Sequence, residues 1–371
     1  MSHGAKVSGL EEGKSSVTRR RRRRGGKDAS AKLKRKIEIA IQNEDFYLAN
    51  QLILSQYHRL KSSDITEGLS GLFNGARDLL KAGQGNEGGS LACTYIQEGI
   101  DHKITPLAKD IVRIQSLFDM FGKADVKPRV EMMKLAIQWT SKCGSNPHGD
   151  QRLHTQLARF YDQHCLYAEA HKHYVRGARP QDHARCVMNW AKEGTYPEEI
   201  ELFVARGVLE YLCIKGNFKN ASAFYSSCVK FLDEIQPYKD QITKARKEAA
   251  RCDEEDDENS SNHHHTTASP SSPSSSTTTT TSLQDFLRTD NRQDLFEAEA
   301  AVRPPLINFL GFLLTSIERR ALSLFDMLCD KYEISLLQDP AYDKYLHRIA
   351  QIYFGRQAPK GILEELLGLF S

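Results

Sequence analysis

Apolar residues recur at three- and four-residue intervals along most of the chain. After Leu107 they fall at Ile111, Ile114, Phe118 and Phe121, and Phe46, Ala49, Ile53, Tyr57 and Leu60 repeat the interval. Leu322, Phe325, Cys329 and Tyr332 do the same, as do Tyr342, Tyr345, Ile349 and Ile352. That period places the side chains on one face of an α-helix. Convincing period-2 runs bounded by turns are absent, so the pattern predicts an all-α chain. Helix starts are marked at Thr105-Pro106, Arg303-Pro304-Pro305 and Asp339-Pro340. Thr195-x-x-Glu198 adds capping-box spacing, with Pro197 in the first turn. Stops are marked at Gly122, Gly144 and Gly216.

Short polar turns between such segments force neighbouring helices to run antiparallel. A degenerate repeat supports this. Phe46-x-x-Ala49, Tyr167-x-x-Ala170 and Phe218-x-x-Ala221 each follow a turn and are each expected to open a helix. The aromatic would fill the hairpin interface, and the alanine would let the next backbone approach. One hairpin cannot bury its apolar face alone, so hairpins stack. The expected architecture is an α-solenoid of stacked antiparallel helical hairpins, tetratricopeptide-like without matching that consensus. A compact helical bundle is the alternative.

Composition divides the chain. Residues 1–29 carry few large apolar side chains and contain the unbroken row Arg19 to Arg24, so a disordered basic arm is expected. Residues 252–281 run acidic, then Ser, Thr, Pro and His, without an aromatic, and read as a disordered connector. Between them lie helical hairpins over 30–251, and after them C-terminal helices over 282–371. Thirteen Lys and Arg against three acids give residues 1–36 a net +10; the chain totals +3, leaving −7 for the rest. A mildly acidic body makes nucleic-acid binding by the body unlikely as a function. The arginine row reads equally as a nuclear-localisation signal, a polyanion-binding arm or a solubilising tail.

No stretch reaches the ~20 apolar residues of a membrane span; the most apolar run, Leu306 to Leu314, includes Asn308. No signal peptide is recognised, so a cytosolic protein is expected, with the arginine row open to a nuclear fraction. Eight scattered cysteines without C-x-x-C pairs read as reduced thiols.

Catalytic patterns fail inspection. Gly83-Gln84-Gly85-Asn86-Glu87-Gly88 fits a dinucleotide fingerprint but follows a predicted helix rather than a strand, and reads as a loop. Gly9 to Ser15 is one residue short of a phosphate loop. His171 and His173 point about 200° apart on a helix, so they cannot share a metal, and packing or surface roles are expected. His263-His264-His265 lies in the connector without fixed geometry. No catalytic residue, metal site or cofactor is expected.

Two surfaces could bind proteins. Lys32, Lys34, Arg35 and Lys36 precede Phe46 and Tyr47. They read either as a solvated helix end above core aromatics or as a basic rim beside aromatic anchors. Leu306 to Leu314 is apolar on every face. It reads either as a buried central helix or as the floor of a groove for an apolar segment.

Several segments together resemble one family. They are Asp45-Phe46-Tyr47-Leu48-Ala49; Arg152-Leu153-His154 with Leu157-Ala158; Ile200 to Cys213 followed by Gly216 to Ala221; Pro305-Leu306 with Asn308-Phe309; and Asp339-Pro340 with Tyr342, Tyr345, Leu346 and Ile349, closing on Phe354-Gly355. Over roughly 30–250 and 303–355 the chain resembles the Golgi to ER traffic protein four family. The resemblance implies a cytosolic, non-catalytic α-solenoid adaptor that serves delivery of tail-anchored membrane proteins to the endoplasmic reticulum. It implies that the N-terminal helices dock on a homodimeric targeting ATPase. Lys32, Arg35, Lys36, Phe46 and Tyr47 are the matching positions. It implies that the C-terminal helices hold a ubiquitin-like-domain protein linked to a co-chaperone with its client. Leu306, Phe309, Phe312, Leu313 and Phe325 are the matching positions. The arginine row and the long acidic connector depart from the family. Residues 283–296 read as either a β-hairpin or a short helix. A scaffold subunit of a large helical-repeat complex, and an RNA-associated protein using the arginine arm, are the other readings.

Overall fold

The structure, a computed structural model, describes residues 31–193, 199–234 and 303–356. The arginine arm, the 252–281 connector, the Thr195 capping box and the 283–296 segment lie outside them. The described residues are helical and contain no strand. In order the helices are α1 (31–42), α2 (Phe46–Leu60), α3 (Ile65–Lys81), α4 (Gly85–Asp101), α5 (Ala108–Met120), α6 (Val126–Cys143), α7 (Gln151–Gln163) and α8 (Tyr167–Tyr174). They continue as α9 (Pro180–Glu193), α10 (Ile200–Leu212), α11 (Phe218–Asp233), α12 (Pro305–Glu318), α13 (Leu322–Lys331), α14 (Glu333–Leu336) and α15 (Ala341–Phe354). Two compact units divide at residues 157 and 158.

The repeat motif falls where helices begin. Phe46, Tyr167 and Phe218 are the first residues of α2, α8 and α11. Ala49, Ala170 and Ala221 are fully buried. The turns before these helices share a backbone signature. Glu44, Gly83, Cys165, Gly216 and Arg320 all have positive φ, between 53° and 84°. Each stands two residues ahead of a helix. At four of them the following amide donates back across the turn: Asp45 to the Ala40 carbonyl, Gln84 to Leu79, Leu166 to Tyr161 and Ala321 to Ser316. This is the left-handed closure that satisfies the last carbonyls of one helix and reverses the chain. Asp45 and Asp64 then cap the next helix, accepting from Leu48 N at 3.1 Å and Glu67 N at 3.0 Å.

In the first unit, α2 packs on α3, α3 on α4 and α4 on α6. Tyr57, Leu72, Leu79, Leu91, Tyr95, Phe118 and Trp139 are its largest fully buried side chains. Trp139 donates Nε1–H to the Ile104 carbonyl at 2.8 Å and meets Tyr95 edge-on at 5.8 Å. The glycine-rich segment is a loop only as far as Gln84; Gly85, Gly88 and Gly89 belong to α4, against the loop expectation. Packing is the reason. A Cβ on Gly88 would meet Leu80 Cγ at 2.7 Å, and one on Gly89 would meet Pro128 Cβ at 3.0 Å. The glycines let α4 lie close to α3 and α6 rather than cradle a phosphate.

In the second unit, α8 pairs with α9, α9 and α10 with α11, and α12 and α15 with α10. One apolar core runs from Val175 through α9, α10 and α11 into α12, α13 and α15. Glu201 of α10 accepts from Leu306 N at 3.2 Å, capping the first turn of α12. Burial raises the Glu201 carboxyl, and that backbone bond opposes the rise. Arg206 of α10 pairs with Asp339 ahead of α15.

Candidate functional site

Helix α1 carries the basic positions. Lys32, Lys34, Arg35 and Lys36 are all exposed on it. Ile37 and Ile41 turn to a groove of about 360 Å³ against Ile53, Gly71 and Gly75 of α2 and α3. Across the tight turn, Tyr47 is 72% exposed, with Leu48 and Ile39 also outward. Phe46 is half-buried. The first hairpin thus presents four cations together with Tyr47, Leu48 and Ile39, and uses Phe46 partly as packing. A strongly hydrated charge beside an amphipathic ring suits an acidic protein surface.

The C-terminal positions lie differently. Leu306, Phe309, Phe312, Leu313 and Phe325 are all in the interior, none more than 7% exposed. Phe309 lies against Tyr332 at 5.6 Å between ring centres, and Phe325 against Phe354 at 5.1 Å. Their partners are residues of this same unit. Among the described residues, the outward large apolar side chains at this end are Ile334, 86% exposed, Leu337, 72% exposed, and Leu322. Periodicity could not find Ile334 and Leu337, because α14 is a single turn set off by Tyr332 and Leu337.

Burial, followed by the Glu131 charge, pushes the Cys93 thiol up to about 11. Burial likewise pushes Cys213 and Cys329 up to about 12, and Cys186 and Cys228 higher still. Protonated thiols are poor nucleophiles and poor metal ligands. The seven described cysteines are free. No cluster of three or more metal-ligating side chains occurs among the described residues, and no described helix is long and apolar enough to cross a membrane. His171 and His183, spread along the sequence, meet in the interior with ring nitrogens 2.9 Å apart.

The chain is similar to known proteins in fold and in sequence. The fold matches the crystal structure of C. therm. Get4 with a TM-score of 0.62 at 24% identity, covering 92% of this chain and 93% of that one. Golgi to ER traffic protein 4 homolog A of Xenopus laevis is 24% identical over 335 residues, 90% of this chain and 82% of the relative. The homolog of Homo sapiens is 24% identical over 338 residues, 90% and 83% respectively. That of Oryzias latipes is 25% identical over 356 residues, 93% and 88%. The family profile described as Golgi to ER traffic protein 4 matches residues 62–371, most of the chain, and the protein belongs to that family.

Proposed function

We propose that the protein is a non-catalytic cytosolic adaptor in the delivery of tail-anchored membrane proteins to the endoplasmic reticulum. Its first hairpin docks a homodimeric targeting ATPase. Its C-terminal helices hold a ubiquitin-like-domain protein that brings a client-carrying co-chaperone. The observation that carries this reading is family membership combined with two chemically distinct exposed surfaces on separate hairpins. One is cationic with Tyr47, on α1 and α2; the other is apolar, at Leu322, Ile334 and Leu337. Holding donor and acceptor on one chain makes the client handover intramolecular, at an effective concentration on the order of millimolar.

At the C-terminal end the reading shifts from the buried Phe309 group to the outward residues of α13 and α14. A partner can seat on Ile334 and Leu337 without opening the core. Two charge reversals, Arg35→Glu with Lys36→Glu, are expected to abolish co-purification with the ATPase while leaving the ubiquitin-like partner bound. Ile334→Asp with Leu337→Asp is expected to do the converse, with an unchanged circular-dichroism melt. An ATPase complex that survives the charge reversal and shows no salt dependence would sink the N-terminal assignment.

A further inference from the structure

Five side chains from four helices form one polar chain inside the second unit. Tyr211 Oη of α10 lies 3.1 Å from His183 Nδ1 of α9. His183 Nε2 lies 2.9 Å from His171 Nδ1 of α8. His171 Nε2 faces Glu210 Oε2 of α10 at 3.2 Å. Tyr345 of α15 donates to Glu210 Oε1 at 3.0 Å. His183 is fully buried, stacked on Phe224 at 4.5 Å and Tyr174 at 5.5 Å.

Two ring nitrogens at this distance must share one hydrogen. With none between them two lone pairs oppose; with two, the N–H groups collide. When both rings are neutral, every hydrogen can point towards the carboxylate. Tyr211 donates to His183 and His183 to His171, whose Nε2–H then faces the Glu210 carboxylate without the alignment of a full hydrogen bond. One added proton is absorbed by reversing the chain. The shared hydrogen then lies on the His171 side, and His183 keeps its own hydrogen on Nδ1. The Tyr211 hydroxyl then turns to the Tyr174 carbonyl, 3.1 Å away. A second proton has no position.

The remaining groups around the pair ordinarily keep their charge between about pH 5 and 8. Tyr174 donates to Asp162 at 3.1 Å, Arg206 stands near Glu210 and is paired with Asp339, and the Cys186 and Cys228 thiols are held protonated by burial. Burial raises Glu210, but the bonds from His171 and Tyr345 outweigh it and hold the carboxyl low. Burial first, and His171 second, drive His183 well below the ordinary histidine range. In the unfolded chain both imidazoles are independent and charge below about pH 6.5. The folded pair accepts at most one proton. A depressed imidazole therefore contributes stability that is present above about pH 6.5 and is lost as the pH falls below it.

We propose that the chain from Tyr211 through His183, His171 and Glu210 to Tyr345 is an acid-opened lock. It holds α9 and α15 against α8 and α10 while the histidine pair carries no more than one proton, and loosens them when acid supplies a second. The lock is a property of the fold and does not depend on which partners the adaptor binds.

The test is a pH series of urea midpoints on the full chain, from about pH 7.5 to about pH 5. Wild type is compared with His183→Phe, which keeps an aromatic ring between Tyr174 and Phe224. The other histidines are common to both proteins, so the difference reads the lock. Below about pH 6.5 the wild-type folding constant is expected to fall more steeply than the variant's by about tenfold per pH unit. Parallel profiles overturn the proposal. If the variant does not fold, nuclear magnetic resonance of histidine-labelled wild type decides the matter. While the helices stay packed the coupled pair should take up one proton in total down to about pH 5, and uptake of two with amide protection unchanged refutes the lock. Tyr345→Phe removes α15 from the polar chain alone, leaving its other contacts with α10, so amide protection along α15 should lose its pH dependence while the midpoint profile is kept. Retention of that dependence would remove α15 from the lock.

Discussion

At the scale of single residues, burial decides which side chains serve the fold and which remain for partners. Phe309 is fully enclosed. Phe309→Ala should cost about 3–5 kcal/mol, through lost transfer energy and an unfilled cavity, and should lower the urea midpoint before any effect on binding is seen. Ile334→Ala, at an exposed site, should leave the midpoint within about 0.5 kcal/mol of wild type. Sequence carried half of this distinction. A run apolar on all faces announces either a buried helix or an open groove, and only the surrounding helices choose between them. The His171–His183 pair was not legible at all. Spacing excluded His171 and His173 as partners, but the true partner lies across a hairpin turn, where helical period carries no information.

At the scale of elements, the left-handed turn is the recurring device. Sequence marked these turns poorly, because only Gly83 and Gly216 of the five are glycine. Glu44, Cys165 and Arg320 adopt the same conformation against the clash of their own Cβ. Arg320→Gly should therefore stabilise the protein by about 1 kcal/mol, less the entropy glycine adds to the unfolded chain. Gly83 has open space around its Cα, so Gly83→Ala isolates the backbone term and should destabilise by about 1 kcal/mol. Equal and opposite shifts in thermal midpoint are the expected result; two shifts of the same sign would contradict the turn argument. The aromatic-x-x-Ala motif was legible because it reports a local requirement, a small residue one turn into the helix where the next backbone passes. The glycines of α4 misled for the complementary reason. They answer to helices α3 and α6, and α6 lies nearly forty residues away.

At the scale of the whole molecule, the all-helical architecture and the order of hairpins follow from periodicity alone, because each contact that defines a hairpin is close in sequence. The joining of α12 and α15 to α10 is not of that kind. It rests on Glu201 capping Leu306, on Tyr342 donating to the Leu202 carbonyl at 3.0 Å, and on a shared core. Each pairs residues more than a hundred positions apart, which no local pattern encodes.

Arg303 reaches Asp233 at 3.3 Å. The last described turn of α11 and the first residue ahead of α12 are thus neighbours, although residues 235–302 separate them along the chain. For the folded helices that long detour spans almost no distance, so its length is set by something other than the need to connect. A bridge of a few Gly and Ser residues is long enough to stand in for 236–301. The urea midpoint of that variant then reads what the replaced residues add to stability, and its partner binding reads what they add to function.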